Sequence, residues 1–259
     1  TDANAPLRAA VPARFGRFFE AADGRDFPFY DGRPAAISGA RWAVIVLSCV
    51  AGLLVLFLTP TTSNVTSLLP RFLFAAIPMA TFVWASRPWW RSIFHRPRPG
   101  EYLNMVVFWL LNLAVSVAVG ALVRAIWEQA PTLRPMVSTA GPLEVAAFYL
   151  GTAVQLFGEE LFTILPFLAL LWLLSTKAHL SRKAAVILAW LATAIWFGLA
   201  HLPTYQWNVA QAILGIGVAR LVLTAAYIRT KNILVSTGAH ILNDWATFTF
   251  VLIAASAAT

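Results

Sequence analysis

The chain has 259 residues, 59% of them hydrophobic and 12% charged, with a formal net charge of +8. A soluble domain carries about 25% charged residues. The composition therefore excludes a soluble enzyme and describes an all-α, polytopic transmembrane helical bundle. Residues 1–40 form a polar N-terminal segment, cytoplasmic or interfacial, ahead of a bundle spanning 41–259. In that segment Arg8, Arg14, Arg17 and Arg25 are interleaved with Phe15, Phe18, Phe19, Phe27 and Phe29. Arg14 to Phe19 reads either as a short interfacial helix with aromatics in the headgroup region or as part of a disordered tail. Thr1 in place of an initiator Met marks the chain as processed or trimmed, and the first 40 residues hold no apolar run of a secretory signal.

About seven spans follow: Trp42–Leu58, Leu68–Ala85, Tyr102–Val123, Leu143–Ser175, Ala184–His201, Asn208–Ile228 and Asn232–Ala257. Cys49, the one cysteine, lies in the first and reads as a packing residue. The fourth stretch, about 50 Å long if helical, is too long for one straight crossing, so a strong tilt or a break near Gly158 or Pro166 is expected. Basic residues alternate between loops. Arg87, Arg91, Arg96 and Arg98 follow the second span, Lys177, Arg182 and Lys183 the fourth, Arg229 and Lys231 the sixth. Thr59–Ser67 and Leu202–Trp207 have none, and the 124–142 loop has only Arg124 and Arg134. This pattern predicts seven spans with the N-terminus inside and the C-terminus outside. It assigns the positive charge to topology and bilayer contact and not to nucleic acid.

The ionisable groups taken from the spans are Glu159 and Glu160 in the fourth, His201 at the end of the fifth, Arg220 in the sixth, and His240 with Asp244 in the seventh. A carboxylate at membrane depth costs about 2.5 kcal/mol or more, and adjacent ones repel. No packing role needs such a pair, and gathering these groups in one polar pocket is the cheapest way to shield them from lipid. Glu159 lies 18 residues before Lys177, and His201 lies 18 after Lys183. Both are thus about 27 Å from the basic loops. His240, nine residues after Lys231, would be only about 14 Å deep. That mismatch calls for a tilted seventh helix or a late helix start near Ser236-Thr237-Gly238. His240 and Asp244 share a helical face bordered by Asn243, and Phe197 is likewise four residues before His201.

Glu159-Glu160-Leu161-Phe162-Thr163-Ile164, Phe197-Gly198-Leu199-Ala200-His201 and His240-Ile241-Leu242-Asn243-Asp244 together resemble the motif set of the CPBP intramembrane proteases. That family includes the CAAX prenyl endopeptidases of type II and the bacterial Abi proteins. The resemblance covers about residues 143–250, a CPBP-like catalytic core. It implies that Glu159 and His201 handle the water and that His240 with its partner, Asn243 or Asp244, faces the oxyanion. It implies no cofactor and a membrane-anchored peptide or protein as substrate. One position departs: the family's arginine falls on Ile164. Arg220 is the candidate replacement, pairing with Glu160 or Asp244, the alternative being that it snorkels to the headgroups.

The chemistry of these side chains agrees. An ionised glutamate can serve as general base, with His201 orienting the water. His240 can donate to the oxyanion, with Asp244 orienting it, since a carboxylate would itself repel that charge. Two His and a Glu are also the ligand count of a catalytic zinc site, although no His-Glu-x-x-His helix is present. An inactive CPBP-like scaffold or chaperone subunit, bound to a membrane-protein partner, is the second reading, and a proton-coupled transporter a third, weakened by the absence of internal repeats. Three Lys against sixteen Arg, with abundant Ala, point to a GC-rich bacterial genome and so to a bacterial plasma membrane.

Overall fold

The computed structural model describes residues 16, 18–21, 24–127 and 141–257, with side chains as far as 253. Arg8, Arg14, Phe15, Arg17 and Arg134, and with them most of the expected Arg14–Phe19 helix, lie outside the described residues. The rest is helical: α1 (Gly39–Leu58), α2 (Asn64–Ser86), α3 (Pro99–Ile126), α4 (Pro142–Trp172), α5 (Arg182–Ala200), α6 (Val218–Thr230) and α7 (Ile233–Ala257). A 3₁₀ turn (Trp90–Ile93) links α2 to α3, and π-helical turns follow α4 (Leu173–Lys177) and precede α6 (Gln211–Gly217). Among the described residues six stretches are long and apolar enough to cross a bilayer, and the chain is an integral membrane protein. α7 is not one of the six; it is 25 residues long but carries His240, Asn243 and Asp244.

Local chemistry sets the helix starts. Ser38, Ser63 and Ser181 accept backbone N–H bonds at the N-termini of α1, α2 and α5. Pro99 and Pro142 occupy the first turns of α3 and α4, where the missing N–H costs nothing. The Glu101 carboxylate closes the α3 cap by accepting from the Arg98 N–H at 2.8 Å. α6 ends on Lys231 in the left-handed region (φ 52°). Asn232 then ties the start of α7 to the α2–α3 connection, bonding the backbone of His95 in both directions.

α4 is the hub, packed on α1, α2, α5, α6 and α7, while α3 covers α6 and α7. The expected break at Gly158 or Pro166 is absent. α4 runs unbroken through both, and its irregularity is the π turn after Trp172. Lipid supplies no hydrophobic drive between helices, so close approach at small residues carries the packing. A Cβ on Gly158 would stand 2.7 Å from the Phe74 ring, and one on Gly198 would stand 2.8 Å from the Ala212 carbonyl oxygen. The first seats α2 on the glutamate-bearing turn. The second presses α5 onto the π turn that leads to Arg220.

The described part of the N-terminal segment is packed into the bundle and is no loose tail. Phe27, Phe29, Tyr30 and Ile37 are buried, with Phe27 against the rings of Phe167 and Tyr227. Glu20 accepts from Arg182 (2.7 and 2.9 Å) and from Lys231 (2.7 Å), while Asp26 also accepts from Arg182. Burial lowers the Lys231 pKa and Glu20 opposes that shift. These contacts explain the depth mismatch at His240. The expected late start of α7 does not occur, because α7 begins at Ile233. Lys231 is instead a buried residue beneath the N-terminal segment, and so a poor marker of the membrane surface.

Candidate active site

Neighbours on a helix point about 100° apart, so the two adjacent glutamates of α4 face different surroundings. Glu160 is completely buried and turns toward α6 and α7. Arg220 donates to its Oε1 in a buried ion pair. The Arg220 Nε bonds Thr224 Oγ1 at 3.3 Å, and its guanidinium lies 4.8 Å from the centroid of the Phe197 ring. Arg220 is therefore a partner of Glu160, not of Asp244, and it does not snorkel. Ile164, also fully buried, stands where the CPBP resemblance leads one to expect an arginine, and here a cation reaches Glu160 from α6.

The same Glu160 Oε1 lies 3.0 Å from His240 Nδ1. A carboxylate accepts, so Nδ1 carries the proton and Nε2 is the working nitrogen. Nε2 lies 3.8 Å from Glu159 Oε2 and 3.9 Å from Asp244 Oδ1. Sequence spacing assigns the orienting of His240 to Asp244; that task falls to Glu160, while Asp244 stands beside the free nitrogen. Asn243 donates to Asp244 Oδ1 at 3.0 Å and touches neither imidazole through a hydrogen bond among the described residues.

Glu159 opens on a cavity of about 60 Å³ bordered by Phe74, Gln155, Phe162, Phe197 and His201. Gln155 Nε2 donates to Glu159 Oε1 at 2.9 Å, leaving Oε2 toward His240. His201 follows the last turn of α5, and its Nδ1 lies 2.9 Å from the Phe197 carbonyl. A carbonyl only accepts, so Nδ1 carries a proton and, in the neutral His201 ring, Nε2 does not. Glu159 thus links two groups: it shares the cavity with His201 and stands 3.8 Å from His240, which Glu160 holds from the side of Arg220. A larger hollow of about 460 Å³ between α1, α4 and α5 has no ionisable residue in its wall.

Both imidazoles have Nδ1 engaged, so a metal would have to draw on two Nε2 atoms and Glu159. Among the described residues no group of three or more His, Cys, Asp or Glu is arranged to hold one. Sequence reasoning passes over three nearby polar groups. Gln155 is one turn before Glu159. Tyr205 lies in the turn after His201, where burial and then the charges of Asp244 and Glu159 raise its phenol pKa. Arg71 sits inside the second span. Any arginine within an apolar run signals a function, and that signal was available for Arg71.

No curated protein and no solved structure matches the chain. Residues 141–246, which run from the cap of α4 into α7 and contain Glu159, Glu160, His201, Arg220, His240 and Asp244, match the family model described as Type II CAAX prenyl endopeptidase Rce1-like, which supports the CPBP resemblance.

Proposed function

We propose that this protein is a glutamate-dependent intramembrane endopeptidase that hydrolyses a peptide bond in a membrane-anchored peptide or protein. The family match favours CAAX-type protease chemistry in general. The observation that carries the finer reading is the split between adjacent glutamates. Glu160 is spent on Arg220 and His240, while Glu159 faces a cavity together with His201.

In the proposed reaction a water sits between Glu159 and His201 Nε2. Glu159 takes one of its protons as the oxygen attacks the scissile carbonyl carbon. The carbonyl electron pair moves to oxygen, and a protonated His240 Nε2, fixed through Nδ1 by Glu160, donates to that oxyanion. Collapse breaks the C–N bond, and the amine leaves with the proton held by Glu159. Asn243 and Asp244 border this oxyanion side, with the Asp244 carboxylate 3.9 Å from Nε2. Phe197 and Arg220 act through Glu160. No step draws on a cofactor. The basic loops favour an N-in orientation, and the Arg-rich, Lys-poor composition a bacterial plasma membrane.

The scaffold reading draws on the missing family arginine. Arg220 restores the counter-charge and removes that motive. Purified protein in liposomes containing a pool of lipid-anchored peptides tests the proposal, with cleavage read by mass spectrometry. Wild type cleaves and Glu159→Ala does not, and a chelator leaves the wild-type rate unchanged. Equal behaviour of the two proteins sinks the enzyme reading, and loss of activity on chelation transfers the water to zinc.

A further inference from the structure

The two ends of the bundle differ in charge and in closure. At one end the N-terminal segment and five helix ends are tied together. Arg41 of α1 donates to the Ala85 carbonyl of α2 at 3.2 Å, and Arg25 donates to Glu101 of α3 at 2.7 Å. Arg182 of α5 and Lys231, the cap of α6, both donate to Glu20. This end carries the basic connections, residues 87–98, 177–183 and 229–231. At the other end the Asn64 N–H donates to Glu144 at 2.7 Å, joining the starts of α2 and α4. The Tyr149 and Thr249 hydroxyls meet at 2.7 Å, joining α4 to the far part of α7. The connections there, 59–63 and 202–210, hold no Lys, Arg, Asp or Glu, and 127–141 holds only Glu128 and Arg134.

The catalytic cavity belongs to the second end. Its wall includes Leu53, Leu56 and Phe57 from the last two turns of α1, and His201 and Thr204 from beyond the end of α5. His201 follows Arg182 by 19 residues, which sets it about 28 Å along the helix from the basic end. Exposure rises in the same direction. On α7 the His240 side chain is 6% exposed, and that of Asp244, one turn further from the basic end, is 26% exposed. Toward the basic end the way is closed. Ile164, Phe167, Leu168 and Leu171 of α4 are completely buried, and the N-terminal segment covers them, with Phe27 on the rings of Phe167 and Tyr227. A core packed in this way leaves no passage for a peptide.

We propose that the catalytic cavity is entered from the face opposite the basic loops, and that the scissile bond therefore lies on the outer side of the membrane. This rests on the endopeptidase reading and on the N-in orientation that the loop charges favour. The substrate class is then a membrane-anchored polypeptide whose cleaved segment has already been moved across the bilayer. A translocation step has to precede cleavage, because a segment with charged side chains does not cross hydrocarbon unaided.

The test uses the full chain in right-side-out and inside-out membrane vesicles from cells that express it. N-palmitoylated peptides with a randomised segment and several charged residues are added from outside, and their charges keep the segment on that side. Right-side-out vesicles cleave the pool, and inside-out vesicles stay at the rate of matched Glu159→Ala vesicles. Cleavage by inside-out vesicles alone, or equal cleavage by both, overturns the proposal and leaves the endopeptidase reading standing. If neither preparation exceeds Glu159→Ala, the endopeptidase reading fails, and cysteine labelling decides the direction of entry. In a Cys49→Ala background, a membrane-impermeant maleimide then reaches Thr204→Cys in right-side-out vesicles and Lys177→Cys in inside-out ones. Labelling of Thr204→Cys only in inside-out vesicles, or in neither until detergent is added, overturns the proposed entry. Leu56→Cys, on the same wall of the cavity, takes the place of Thr204→Cys if that variant melts well below wild type.

Discussion

Glu20 and Glu160 are almost equally inaccessible, and each is held by basic side chains, yet they sit in different company. At the bundle end, Glu20 and Asp26 face Arg182 and Lys231, two acids against two basic side chains in these ion pairs among the described residues. Around Glu160 there are three acids, one guanidinium and a histidine, with a second histidine across the cavity. The first cluster is charge-balanced and its connections are structural. The second has an excess of acid, contains two imidazoles, and opens on a cavity. A buried charge is thus no functional signal by itself. The signal lies in imbalance, imidazole and access.

The widest contrast between the clusters should come from removing a cation at the site. Arg220→Ile leaves Glu160 buried without its counter-charge and should cost about 3–5 kcal/mol, read from unfolding in detergent micelles. Adding Ile164→Arg returns the cation to the family's position on α4 and should recover part of both stability and turnover. If Arg220→Ile unfolds at the wild-type midpoint, the pairing has no energetic weight. Glu20→Gln should cost less, about 2–3 kcal/mol, since the amide still accepts hydrogen bonds from Arg182 and Lys231. Its turnover per folded molecule should match wild type; a loss there would tie the two clusters together and end the distinction.

Smaller effects refine the picture. Gly198→Ala forces a Cβ against the Ala212 carbonyl and should lower stability by about 1–3 kcal/mol. Because it displaces Phe197 from Arg220, turnover should fall with it. Gln155→Leu removes one hydrogen bond from Glu159. It should reduce turnover by about fivefold, worth about 1 kcal/mol, without moving the melting temperature. A larger loss would make Gln155 a direct participant.

Much of this was legible before any coordinates. Hydropathy and loop charge place α1, α3, α5 and α7, and α6 together with the π turn before it, within a few residues, because a lipid-embedded helix needs an uninterrupted apolar run. Adjacent carboxylates in an apolar run mark Glu159 and Glu160, the four-residue spacings mark His201 and His240, and the cost of an unpaired Arg220 predicts its pairing. Three things were not legible. Pro166 does not break α4, because dense packing on five neighbouring helices holds the chain through it. Lys231 reads as a surface cation but is buried, because its partner Glu20 lies 211 residues away in a segment that looks like a tail. Sequence spacing assigns the orienting of His240 to Asp244, whereas Glu160 holds its Nδ1, because spacing fixes the face of a helix but not which nitrogen of a ring meets which carboxylate.

The division of labour between adjacent glutamates is what every step depends on, and one paired comparison examines it: melting temperature and peptide turnover of Glu159→Gln beside Glu160→Gln. Glu159→Gln should melt with wild type and lose turnover by about 10²–10⁴-fold, while Glu160→Gln should lose several degrees or more of melting temperature before any kinetic effect is assigned. A stable, active Glu159→Gln, or a Glu160→Gln as stable as wild type, would contradict the account.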